Sequence, residues 1–315
     1  MKSFFQMGKR FFLFIAVNLL VMVTLYIVLS VVLHFFPQFN RRGTGWLGYF
    51  AILSLVFGMG GAFISLAISR MMAKWMMGVQ VIDPNTRDAE ASELVRMVHG
   101  YAQRAGLPAM PEVGIYDSPE VNAFATGPSK SRSLVAVSTG LLRQMNRTET
   151  EGVIAHEVAH IANGDMVTMT LVQGIINAFV MFLSRVLAFL AAQALSGNRS
   201  SDDDRPSLAN SLIEMVLGIV FQILFTLLGS LVVAWFSRKR EFRADAGGML
   251  LAGKPQMVGA LRALQRIYDP RMAAEGGSSG FQSFKISGQS GGIMALFSTH
   301  PPLEERIAHL ESLGR

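Results

Sequence analysis

Two histidines and a glutamate stand close together in "EGVIAHEVAH", at positions 156, 157 and 160. Residues four apart project from the same side of a helix, so His156 and His160 can aim at one ion. Glu157 lies about 100° around the helix from His156. That places it beside the ion rather than on it, where a base for an attacking water belongs. This is the H-E-x-x-H arrangement of zinc hydrolysis. Catalytic zinc usually takes three protein ligands and keeps one position for water. The chain has no cysteine, so the third ligand must be a carboxylate or an imidazole. Glu241, Asp245, Asp165, His99 and His300 are the candidates. An apolar stretch leaves the motif and a second one returns just before Glu241, so geometry favours Glu241. Asp245 stands four residues later on the same helical face. It is placed to accept a hydrogen bond from a ligand histidine and orient it.

The motif needs a helix, and Thr148 followed by Glu151 has the capping-box pattern that would start one. Ahead of it, "NTRDAEASELVRMVHGYAQRAGLP" carries Ala91, Leu94, Val95, Val98 and Tyr101 at helical spacing, with Gly106 and Pro108 as its stop. "PEVGIYDS" and "RSLVAVSTG" predict short strands through the alternation of Val113 with Ile115 and Val135 with Val137. "PEVNAFATGPSK", between them, is less regular and bounded by turn residues. After the apolar stretches, "REFRADAGGMLLAG" and "KPQMVGALRALQRIYD" predict helices. The Gly/Ser-rich segment 276–292 reads as a surface linker. Pro301 and Pro302 lead into a last helix.

Composition places this machinery at a membrane. Hydrophobic residues make up 51% and charged residues only 16%, against roughly 25% charged in average soluble domains. Four segments are long enough to span, a spanning helix needing about 20 apolar residues. They run from Phe11 to Phe36, Leu47 to Ser69, Val167 to Leu195 and Leu212 to Phe236, the first as an uncleaved anchor. Four domain segments follow: a membrane hairpin (1–69), the first cytosolic part of the catalytic domain (70–166), a second hairpin (167–236) and the second cytosolic part (237–315). The basic residues gather on one side of these spans, so the N- and C-termini are expected in the cytoplasm. The net charge of +6 reads as anchoring to anionic lipid heads rather than nucleic-acid binding. Trp46, Trp75 and Trp235 sit at span ends as interfacial anchors. Gly58 and Ala62 form a small-xxx-small step able to seat a neighbouring helix. Arg185 and Glu214, charged and inside spans, are expected to pair.

"HEVAH", "EFRADAG" after a membrane hairpin, and "STHPPLEERI" near the end together resemble the HtpX membrane metalloprotease family, itself related to the CAAX prenyl endopeptidases. The resemblance covers nearly the whole chain. It implies an α-helical integral membrane protein with a mainly α, partly β gluzincin-like protease domain. It implies one zinc per chain on His156, His160 and Glu241, with Glu157 as general base and acid. By the same resemblance His300 and Arg306 approach the site and stabilise the developing oxyanion. Asn122, Ala123 and Phe124 match the family's strand at the active-site edge, where an extended substrate could pair its backbone.

The expected function is therefore a zinc endopeptidase of a bacterial cytoplasmic membrane. Its substrates would be misfolded or misassembled membrane proteins and unfolded polypeptides, a class that comes from the resemblance. A processing protease for one lipidated or signal-like substrate is the nearest alternative. A non-catalytic zinc-bound scaffold is another, although intact Glu157 argues for a working site. A transporter would need several ionisable residues along the spans, and the spans offer chiefly His34, Arg185 and Glu214.

Overall fold

The structure, a computed structural model, describes residues 46–196, 208–268 and 298–313 together with Val23, Ile27, Ser30, Val31, His34 and Phe35. The first expected span lies almost entirely outside the described residues, as do the loop with Asp202 to Asp204 and the Gly/Ser-rich segment. The fold is mostly helical. It divides into two compact units, one within Met1–Ser65 and Thr170–Val233, the other within Leu66–Met169 and Ala234–Arg315.

Three described helices are long and apolar enough to cross a membrane: α1 (Trp46–Met76), α5 (Asp165–Ser196) and α6 (Leu208–Ala252). Within the first unit the small residues decide how α1 meets α5. A Cβ on Gly58 would stand 2.4 Å from the Ala178 backbone nitrogen, and one on Gly174 would stand 3.2 Å from the Ala62 Cβ. The step at Gly58 and Ala62 thus seats a matching step at Gly174 and Ala178, and backbones approach where no larger side chain fits. The expected pairing of Arg185 with Glu214 does not occur, for no ion pair joins them. Gly218 faces Ala188 across the α5–α6 contact. Because the helices run antiparallel, Glu214 lies level with Ala192, seven residues or about 10 Å from Arg185.

The second unit is built on a four-stranded sheet in the order β1-β2-β4-β3. Its strands are β1 (Gln80–Val81), β2 (Glu112–Tyr116), β3 (Ala123–Ser129) and β4 (Arg132–Ser138). β4 is central, parallel to β2 and antiparallel to β3, and all of its residues but Arg132 are buried. "NAFATGPS", irregular by sequence, is an edge strand because it pairs with that apolar centre. A bulge between Thr126 and Ser129 breaks its register. There Gly127 has φ +148°, and a Cβ would stand 2.2 Å from the Arg132 carbonyl oxygen.

One face of the sheet carries α2 (Ala89–Arg104) and α4 (Arg147–Asn163). Leu94, Val98, Val135, Val137, Ile154, Val158 and Ile161 share a single buried cluster there. The cap of α4 is Asn146 rather than Thr148. Asn146 accepts from the Glu149 N–H, and its own N–H donates to the Glu149 carboxylate. Both residue pairs satisfy the spacing, but Asn146 has the extended backbone a cap requires. Between β4 and α4 lies the short α3 (Thr139–Gln144). α7 (Lys254–Tyr268) packs along α4, and α8 (Leu303–Ser312) packs on α7 through Met257, Leu261, Ile307 and Leu310.

Candidate metal centre

α4 presents Val153, His156, Glu157 and His160 along one face to a cavity of about 350 Å³. Glycine at position 164, with φ +72°, ends the helix in the left-handed conformation. The next residue, Asp165, is buried and returns to the histidines. Glu241 comes from α6, far along the chain, and its side chain has no exposure. Two glycines allow that approach. A Cβ on Gly247 would lie 2.9 Å from the Ala159 Cβ, and one on Gly248 would lie 3.1 Å from the His156 backbone nitrogen. The "AGG" after "EFRAD" therefore lets α6 rest directly on the helix of the two histidines.

The three side chains converge. The Nε2 atoms of His156 and His160 are 3.0 Å apart, and each lies 3.4 Å from a Glu241 oxygen. One donor atom from each of the three residues falls within 4.8 Å of the others, a group that could hold one metal ion. Two imidazoles and a carboxylate, with no thiolate, suit a borderline ion such as zinc.

Every ligand candidate has a partner behind it. His160 Nδ1 is 2.7 Å from Asp165 Oδ2, and Arg243 of α6 pairs with the same carboxylate. His156 Nδ1 is 2.9 Å from Asp245 Oδ1, although it is not aligned for a hydrogen bond. Both arrangements leave Nε2 turned to the shared point. His300 Nδ1 is 2.9 Å from Glu241 Oε2. Arg306, buried on α8, donates from Nε and Nη2 to Asp245 at 2.8 and 2.6 Å. Its Nη1 stands 3.6 Å from Glu241.

Charge is concentrated here. Burial pushes the His156 pKa down, but the carboxylates of Asp245 and Glu241 outweigh it and hold the ring at about 9. Burial also disfavours the charged forms of Asp245 and Arg306, and their mutual bidentate pair wins in both. The carboxyl falls below its usual range and the guanidinium rises.

Of the candidates for the third ligand, Glu241 is therefore the one that converges with the histidines. Asp165 and Asp245 stand behind them, and His300 stands beside Glu241. His99 lies elsewhere, with Nε2 3.0 Å from the Pro111 carbonyl oxygen. Glu157, His300, Asn122, Ala123 and Phe124 all line the cavity. Arg306 lines it too, with two of its donors on Asp245. Some features of the site are not legible in the sequence. Arg243 reads as a juxtamembrane anchor until its partner Asp165 is seen. The helix stop "NG" directly before Asp165 was the available signal for that carboxylate turning back. Ala125 and Tyr268 of the cavity wall left no local signal.

The edge strand has its own pattern. Ser138 N–H donates to the Asn122 carbonyl at 2.9 Å, so residues 122 and 138 form a bonded pair. In an antiparallel ladder such pairs alternate. Phe124 therefore also bonds inward to β4, and the backbone groups of Ala123 and Ala125 face off the edge. Of the three residues expected to meet substrate, Ala123 is the one whose backbone groups face off the edge, and those of Ala125 do so too.

A model of peptidase family M48 matches residues 88–313. The protease HtpX homolog of Bacillus subtilis (strain 168) is 52% identical over 315 residues, covering 97% of this chain and 100% of that protein. Protease HtpX of Tolumonas auensis is 46% identical, covering 97% and 99%. Among solved structures, S. mikatae Ste24p superposes with a TM-score of 0.59 at 20% identity. That match takes in 94% of this chain and 66% of the Ste24p chain, and it speaks to the fold alone.

Proposed function

The chain belongs to peptidase family M48 and is a membrane metallopeptidase, and we propose that it cuts misfolded or misassembled membrane proteins at the cytoplasmic face of a bacterial inner membrane. The observation that carries the assignment of the centre is Glu157 on the same helical face as His156 and His160, within one cavity that also holds Glu241. We read the metal as zinc, held by His156, His160 and Glu241 in a gluzincin-like site. Bound there, it would acidify a water and polarise the scissile carbonyl.

The chain's own groups do the rest. Ala123 and Ala125 lay the substrate backbone along the edge strand, with Asn122 and Phe124 holding that strand to β4. Glu157 takes a proton from the attacking water and passes it to the leaving nitrogen, and with the second proton of that water the products are a carboxylate and an ammonium group. His300, one side of its ring on Glu241, stabilises the oxyanion from the other. Arg306 acts through Asp245, whose carboxylate stands 2.9 Å from His156 Nδ1, while Asp165 is hydrogen-bonded to His160.

The two compact units correspond in this reading to a spanning part and a peptidase part. The Phe11 to Phe36 segment supplies a fourth span, with both termini in the cytoplasm. The substrate class is the one the family resemblance implies, and the long apolar helices of the chain support it. The test compares the detergent-purified protein with Glu157→Gln, measuring bound zinc and cleavage of an unfolded protein together. Equal zinc with cleavage lost in the variant is the expected result. A variant that cuts as fast as the native chain would remove Glu157 from the mechanism.

A further inference from the structure

The cavity has two ends of different character, and α7 shows how they are arranged. A Cβ on Gly248 would lie 2.8 Å from Met257 Sδ beside His156, and one on Gly152 would lie 2.3 Å from the Gln256 carbonyl oxygen. Further along, Arg266 reaches Glu149 at 2.7 Å. α7 therefore runs antiparallel to α4 and away from the metal ligands. Met257, Ala260, Leu261, Leu264 and Tyr268 line the cavity from this helix. Tyr268, eleven residues after Met257, lies about 16 Å further along the axis.

The edge strand forms the opposite wall. Its far end reaches the close of α4, where Lys130 donates to the Ala162 carbonyl. Its near end, Val121, is held by Tyr268, whose hydroxyl donates to the Val121 carbonyl at 2.7 Å. One hydrogen bond thus joins the two walls at this apolar end of the cavity. The walls there are Leu141, Val153, Leu264 and Tyr268, with no charged side chain among them.

We propose that Tyr268 is a specificity-determining residue, closing the apolar recess against Val121 and so limiting the size of the substrate side chain seated there. The ring takes up the end of the recess. The hydroxyl bond keeps the first residue of the edge from moving outward to admit a larger group. It also occupies the Val121 carbonyl, so that backbone pairing with substrate begins at Ala123. This inference rests on the cavity being the substrate cleft of the peptidase described above.

The test digests unfolded casein with the zinc-loaded full chain and with Tyr268→Ala and Tyr268→Phe, identifying the cut bonds by mass spectrometry. Tyr268→Ala, which removes a whole ring, is expected to shift the bonds chosen from aliphatic toward aromatic residues by at least about tenfold in relative kcat/KM, the lower end of what a single methylene is worth in an apolar pocket. Tyr268→Phe keeps the ring and frees the Val121 carbonyl, and should shift the same preference by a smaller factor. It also serves where the alanine variant does not fold. Variants that cut the same bonds in native proportions, however fast, overturn the inference alone. A native protein that cuts nothing overturns the peptidase reading and this inference with it.

Discussion

Gly152 measures how closely the second unit is packed behind its proposed metal ligands. It lies on α4 one turn before His156, and α7 passes directly over it. A Cβ there would sit 2.3 Å from the Gln256 carbonyl oxygen, 2.8 Å from the Gln256 carbonyl carbon and 2.7 Å from the Ala260 Cβ. Even a favourable carbon–oxygen contact needs roughly 3.3 Å, so Gly152→Ala must open the helix pair by about 1 Å. No flexible side chain can yield, because the nearest atoms are backbone and an alanine methyl. Overpacking of this kind costs about 1–3 kcal/mol, and a clash against backbone belongs at the upper end. Alanine returns about 1 kcal/mol through helix propensity. The net loss is about 2 kcal/mol, or roughly 4–8 °C in Tm for a unit of this size. Gly259, on the same α7, meets nothing within 4 Å, so Gly259→Ala should gain up to about 1 kcal/mol. Thermal melts of the two variants in detergent read both signs. A Gly152→Ala protein as stable as the native chain would refute the packing argument.

Asp165→Ala should weaken metal binding about 10–100-fold by freeing the His160 ring, while Asp165→Asn, which keeps an acceptor for Nδ1, should lose less. Competition against a chromophoric chelator measures both, and a native affinity in the alanine variant would remove Asp165 from the centre. Burial lifts the Tyr116 pKa to about 12, outweighing the opposite pull of Ser138 and Asn122. Its folded pKa lies above the unfolded value near 10, so the stability it contributes is intact below about pH 10 and is lost as pH rises toward about 12, at up to about 1.4 kcal/mol per pH unit. Tyr116→Phe should flatten that part of the alkaline stability curve, and phenolate absorbance should show one fewer late-titrating tyrosine.

The local patterns in the chain carried a large share of this protein. Spacing alone put His156 and His160 on one helical face with Glu157 about 100° around beside them, because a helix repeats every 3.6 residues regardless of its surroundings. The apolar runs marked the long helices, and the return of one such run just before Glu241 selected it over four other ligand candidates. Gly58 and Ala62 marked a helix seat, since small residues four apart leave one groove whatever fills it. Tertiary structure decided what depends on two distant segments at once. Asn146 outcompeted Thr148 as the cap through its backbone conformation. Arg306 went to Asp245 because α8 buries it beside α6, and Arg185 missed Glu214 because the register of two helices set them two turns apart. "NAFATGPS" became a strand only through β4, and pairing order then determined that Ala123 and Ala125 face off the edge. The bond from Tyr268 to Val121 spans 147 positions, and no periodicity within either segment could specify it.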